Sequence, residues 1–212
     1  MAEILIEGFN KTIIMVFFST LFSVIIGFIP AIILIVTAPK GLKPNKTIYN
    51  TLDTIINILR GFPFIILMVA IMPLTKLIVG KSIGTTAAIV PLTIAAAPFV
   101  ARIIESSLKE VDPGVVEAAK SFGASNTQII FKVMLKEAVP SIISGLTLTI
   151  ISIIGYSAMA GTVGAGGLGD LAVRYGYQRY QTDVMIVTVI ILVIIVQVLQ
   201  SLGNYLYKKL SQ

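Results

Sequence analysis

Two runs in this chain have residue types and spacing that suggest chemistry: Glu117-Ala118-Ala119 with Gly123 four residues later, and Gly164-Ala165-Gly166-Gly167-Leu168-Gly169. The second matches G-x-G-x-x-G, the turn that in dinucleotide-binding folds lets backbone N–H groups approach a pyrophosphate. That chemistry requires a short strand before the turn and a βαβ unit around it. Here a long apolar stretch precedes the glycines and no βαβ unit follows, so they are expected to shape a tight turn instead. No G-x-x-x-x-G-K-[ST] phosphate loop occurs, so the chain is not expected to bind ATP in that way. The sequence has no His and no Cys, which removes the usual metal ligand, the usual general base and any thiolate chemistry. What remains is recognition and passage rather than bond making, and neither catalytic residues nor a cofactor or metal site are expected in this chain.

The elements that must hold these runs follow from hydropathy. Of 212 residues 56% are hydrophobic and 12% charged, against about a quarter charged in ordinary soluble domains, and the mean hydropathy is +0.97. Lys11 and Lys40 bracket 28 residues without a charge, Lys81 and Arg102 bracket 20, Glu137 and Asp170 bracket 32, and Asp183 and Lys208 bracket 24. A helix needs roughly 20 mostly apolar residues to cross a bilayer. The expected fold is therefore all-α and integral to the membrane, a single transmembrane domain over residues 1–212. Five spans are expected at about 12–37, 54–75, 84–104, 138–160 and 184–206. The second is interrupted by Arg60, which is expected to start near the water interface and snorkel. Glu3 and Glu7 precede the first apolar run and no basic segment does, so that run is read as a retained span rather than a removed signal.

Basic residues give the direction. Eleven Lys and Arg fall in or beside the loops 38–53 and 105–137 and the C-terminal tail, against five on the other side. The richer side should be cytoplasmic, with the N-terminus outside and the C-terminus inside a multi-pass cell-membrane protein. The net charge of +6 thus serves orientation.

Within the cytoplasmic loop, about 107–137, Asp112-Pro113 is a good helix start. Val115, Val116, Ala119 and Phe122 are expected on one face, and Gly123 should end the helix in a left-handed cap. Ser125 and Gln128 suit a capping box that opens a second short helix bearing Ile129, Ile130, Val133 and Met134. Such a pair could lie on lipid headgroups or read DNA. The loop's four lysines are matched by Glu110, Asp112, Glu117 and Glu137, whereas a DNA reader needs a net basic face, so nucleic acid is excluded as a partner.

Span 4 carries small and hydroxyl residues on one side: Ser141, Ser144, Gly145, Leu148, Ser152, Gly155 and Met159. Such stripes let membrane helices pack closely, and the same stripe, with Tyr156, could line a central path. Ser152, Gly155, Tyr156 and Met159 are the candidate path residues, with Tyr156 and Met159 as gate or substrate contacts. Beyond the glycines, Asp170 to Tyr180 is basic and aromatic, suited to a headgroup belt or to docking an external protein.

Glu117-Ala118-Ala119 with Gly123 resembles the EAA signature of ABC importer permeases. Arg60-Gly61-Phe62-Pro63-Phe64-Ile65-Ile66-Leu67, the glycine-rich run, the segment after it and Gln181-Thr182-Asp183 resemble methionine importer permeases in particular. The chain departs from the family pattern at Lys136, where many members carry Pro after the Leu (here Leu135). The resemblance implies a type I importer fold in which the loop between spans 3 and 4 is a coupling helix, with Glu117, Ala118, Ala119 and Gly123 at the contact. It implies a homodimer that works with a dimer of cytoplasmic ABC ATPases, which hold the ATP and Mg, and with an extracytoplasmic substrate-binding protein. Methionine would pass by alternating access, its uncharged side chain suiting a path without buried countercharge. An ion-coupled secondary transporter is the main rival. It usually keeps an ionisable group near the midplane, whereas Asp53, Glu105 and Asp183 are expected at span ends.

Overall fold

The computed structural model describes residues 2–211 and is entirely helical over them outside turns and loops. Among the described residues four helices are long and apolar enough to cross a membrane: α1 (Ala2–Thr37), α5 (Thr85–Lys109), α7 (Asn126–Gly161) and α9 (Thr182–Leu210). Between α1 and α5 lie α2 (Lys46–Arg60), α3 (Phe64–Ala70) and α4 (Met72–Val79). A short α6 (Pro113–Ser121) joins α5 to α7. A helix α8 (Gly167–Leu171), continued by a wide π-type turn over Ala172–Tyr177, joins α7 to α9.

Helix α5 is the centre of the bundle. Its alanines (Ala87, Ala88, Ala95, Ala96, Ala97 and Ala101) are all buried, and their small side chains let α1 lie along it and α7 pack against it. Gly27 of α1 brings the two backbones together: a Cβ there would meet the Ala97 carbonyl oxygen at 2.6 Å. One apolar cluster joins Met15, Phe64, Leu92 and Ile153; a second, around Leu108, joins Ile35, Val100, Ile129 and Met134. The large apolar side chains of α1 and α9 that point away from the bundle, such as Phe17, Ile29, Ile194 and Val198, are exposed, as a lipid-facing surface requires.

Two expectations need correction. Span 2 is not one straight helix over 54–75. Helix α2 ends at Arg60, and α3 leaves it at an angle of 100°. Pro63 caps α3; a proline forces extended backbone on the residue before it, so Phe62 cannot continue α2. Nor is there a separate second loop helix. The capping box forms, with Ser125 N–H donating to Gln128 Oε1 at 2.8 Å, but the helix it opens runs unbroken into span 4. Lys132, Lys136 and Glu137 end the apolar run without ending the helix, because none of them is a breaker. A π-type turn over Ile129–Met134 shifts its face instead.

The glycine run is a turn, as expected. Gly164, Gly166 and Gly167 have φ of 84°, 80° and 87°, a region open to glycine. Thr12 Oγ1 accepts from Leu168 N–H at 2.9 Å, tying α8 to α1.

Candidate coupling helix and translocation path

Helix α6 is built by local signals at both ends. Asp112 accepts from Gly114 N–H at 2.7 Å, and Pro113 occupies the first turn, where its missing N–H costs nothing. At the other end Gly123 has φ 75°. Its N–H donates to the Lys120 carbonyl at 2.9 Å, and Ala124 N–H donates to the Ala119 carbonyl at 3.1 Å. This double closure is the left-handed cap read from the sequence.

The faces of α6 differ from expectation. Val116 and Ala119 turn inward against the cluster around Leu108 and Met134, but Val115 and Phe122 do not share that face. Phe122 is 91% exposed. Glu117, Ala118 and Gly123 are exposed with it, and a Cβ on Gly123 would meet nothing within 4 Å. The outward surface thus carries Glu117, Phe122 and the small residues Ala118 and Gly123, with Val115, Lys120 and Ser121 also exposed. An exposed phenylalanine beside small residues leaves room for another surface to approach closely.

On α7 the structure brings Ser152, Gly155 and Met159 together on an exposed face with Ser144 and Leu148. Two other members of the expected stripe leave it: Ile103 covers Gly145, and the Ser141 hydroxyl lies between Ser107 at 3.0 Å and Glu110 at 2.8 Å. Tyr156 sits beside the open face, its ring stacked on Phe64 of α3 at 4.9 Å and 14°. A cavity of about 130 Å³ opens next to it, lined by Phe99, Leu148, Ser152 and Tyr156 among others. Among the described residues no cluster of three or more His, Cys, Asp or Glu side chains could hold a metal ion.

Sequence reasoning missed two arrangements. Glu105 is fully buried and bonded to Arg102 at 2.7 Å, Lys109 at 2.6 Å and the Tyr49 hydroxyl at 3.2 Å. Arg102 also reaches Asp53 at 2.6 Å, so five side chains pin α2 to α5. The spacing of Arg102, Glu105 and Lys109 on one helix face was visible; that α2 would cover them was not. The second is Arg60. Its guanidinium lies over the Phe99 ring, 5.0 Å from the centroid. Phe99 is one helical turn from Arg102, at one end of the charge-free stretch 82–101, so Arg60 lies half-buried against α5 near the end of that stretch.

Comparison with known proteins gives a consistent result. The family of binding-protein-dependent transport system inner membrane components matches residues 23–212. The probable D-methionine transport system permease protein MetI of Vibrio cholerae serotype O1 is 50% identical over 209 residues, covering 99% of this chain and 93% of its own length. The methionine import system permease protein MetP of Bacillus subtilis is 43% identical over 174 residues, 82% of this chain and 78% of its own. Among solved structures, a chain of the MetNI methionine ABC transporter in inward facing conformations superposes with a TM-score of 0.96 at 44% identity, covering 99% of this chain and 97% of that one.

Proposed function

This chain belongs to the family of binding-protein-dependent transport system inner membrane components, and on that premise we propose that it is the permease subunit of an ATP-driven methionine importer. Its fold is that of a type I ABC importer permease. It works without covalent chemistry of its own: ATP and Mg are held by two separate cytoplasmic ATPases, and a second copy of this chain completes the path. An external binding protein delivers the substrate. An ion-coupled carrier gains no support from the likeness over nearly the whole chain to methionine permeases.

The observation that carries the mechanism is the outward surface of α6, with Glu117, Ala118, Phe122 and Gly123 exposed at the end of the bundle. Its inward residues Val116 and Ala119 pack against both α5 and the start of α7 through one apolar cluster. A push on α6 therefore moves two spanning helices together. ATPase closure would drive the bundle outward-open, and hydrolysis would return it to the inward-facing form that its backbone resembles. The face of Ser152, Gly155 and Met159, with Tyr156, then opens and closes between two copies.

The test is methionine uptake and ATP hydrolysis in vesicles holding this chain, its ATPase and its binding protein. Gly123→Ala adds only the strain of a left-handed residue, about 1–2 kcal/mol, whereas Gly123→Leu also thrusts bulk at the partner. The leucine variant should keep basal ATP hydrolysis while losing uptake. Uptake that stays coupled in that variant counts against α6 as the transmission point. Uptake that survives ATP depletion but dies with the proton gradient would instead support the ion-coupled alternative.

A further inference from the structure

Arg60 occupies an unusual position for a cation. It is the last residue of α2, at the 100° break before α3, against Phe99 of α5. Among the described residues it makes no ion pair, and its Nε is buried without a hydrogen-bond partner. The acid on the same helix, Asp53, is taken by Arg102 and Asn57. A part-buried cation without an acid partner inside a membrane bundle is a candidate functional group, and a broken membrane helix is where transporters often build substrate sites.

The surroundings indicate which substrate group it meets. The Phe99 ring that carries the guanidinium also lines the cavity beside Ser152 and Tyr156. Tyr156 is stacked on Phe64, which begins α3 on the far side of the same break. One cation thus stands behind Phe99, next to a wall of aromatic, apolar and hydroxyl side chains. A guanidinium presents a planar fork of donors that matches a carboxylate, and aromatic edges suit a thioether.

We propose that Arg60 is the carboxylate-binding residue of the translocation path: it pairs with the α-carboxylate of the amino acid in transit, while Phe99 and Tyr156 face the side chain. This rests on the importer reading above and adds a substrate contact to it. It also revises the sequence expectation of a path without countercharge, since the charge is present and belongs to the substrate's backbone end.

The experiment uses the assembled transporter in vesicles. Loss of charge-assisted hydrogen bonds costs roughly 10- to 100-fold, so Arg60→Gln should lower methionine turnover by that factor, with Arg60→Lys in between. ATP hydrolysis should persist in both, which reports an assembled complex. A second measurement needs no variant: phenylglyoxal modification of Arg60, mapped by mass spectrometry, should be blocked by methionine but not by 3-(methylthio)propylamine, which lacks the carboxylate. Equal turnover in Arg60→Gln, or equal protection by both compounds, overturns the assignment and leaves the importer reading standing. Wild-type vesicles that import no methionine overturn that reading, and the assignment with it.

Discussion

Glu105 is a fully buried acid in a membrane helix, tolerable only because two cations and a phenol surround it. Arg102 is the shared member, bonded to Glu105, Asp53 and Asn57 at 2.7, 2.6 and 3.0 Å. Removing one partner of a buried pair leaves the other charged and undercompensated, which costs more than the pair itself contributes. Arg102→Ala should therefore destabilise the protein by about 2–3 kcal/mol and loosen α2 from α5, read as a lower unfolding midpoint in detergent. Asp53→Ala should cost less, because its carboxylate is 29% exposed and water replaces the lost contact. Equal effects of the two substitutions would argue against Glu105 as the anchor.

Helices in this bundle are held apart or together by the width of single residues. Gly27 lets α1 approach α5 to backbone contact, with the Ala97 carbonyl and the Ala101 N–H at 2.6 and 3.0 Å from where a Cβ would stand. Both neighbours are backbone and cannot rotate away. Gly27→Leu should force α1 off α5, exposing Ala31 and Ile35, and sharply reduce the yield of folded protein in membranes; Gly8→Ala, whose new atom meets the movable end of Leu171, should be milder. The same contrast between local signal and neighbour explains α7. Ser125 and Gln128 opened a helix as their spacing requires, but its continuation through Lys132, Lys136 and Glu137 depended on Ile129 and Met134 being buried against α5 and α1.

At the level of the molecule, one face of α7 has no partner among the described residues. Met159 is 44% exposed, and Gly155 has open space beside it, on the last turns of α7 where a second copy is proposed to meet it. The absence of native cysteine makes the test clean. Met159→Cys should form a reducible cross-link between two copies under mild oxidation, and Phe17→Cys, on the lipid-facing side of α1, should not. In the same background Ser121→Cys should react with an impermeant thiol reagent only from the cytoplasmic side. Labelling from outside would invert the proposed orientation and detach α6 from any ATPase.

The membrane class, the four long spans, the two ends of α6 and the turn at the glycines were legible from residues alone. Each depends on a local quantity: transfer of apolar side chains, a capping oxygen three residues from its N–H, or a φ that only glycine adopts freely. Tertiary structure decided the rest. Whether Arg60 meets an aromatic ring, whether Glu105 meets water or three partners, and which side of α6 turns inward all depend on helices distant in sequence. Hydropathy averages over a span and contains no record of those neighbours, so a charge near a span end reads the same whether it faces headgroups or Phe99.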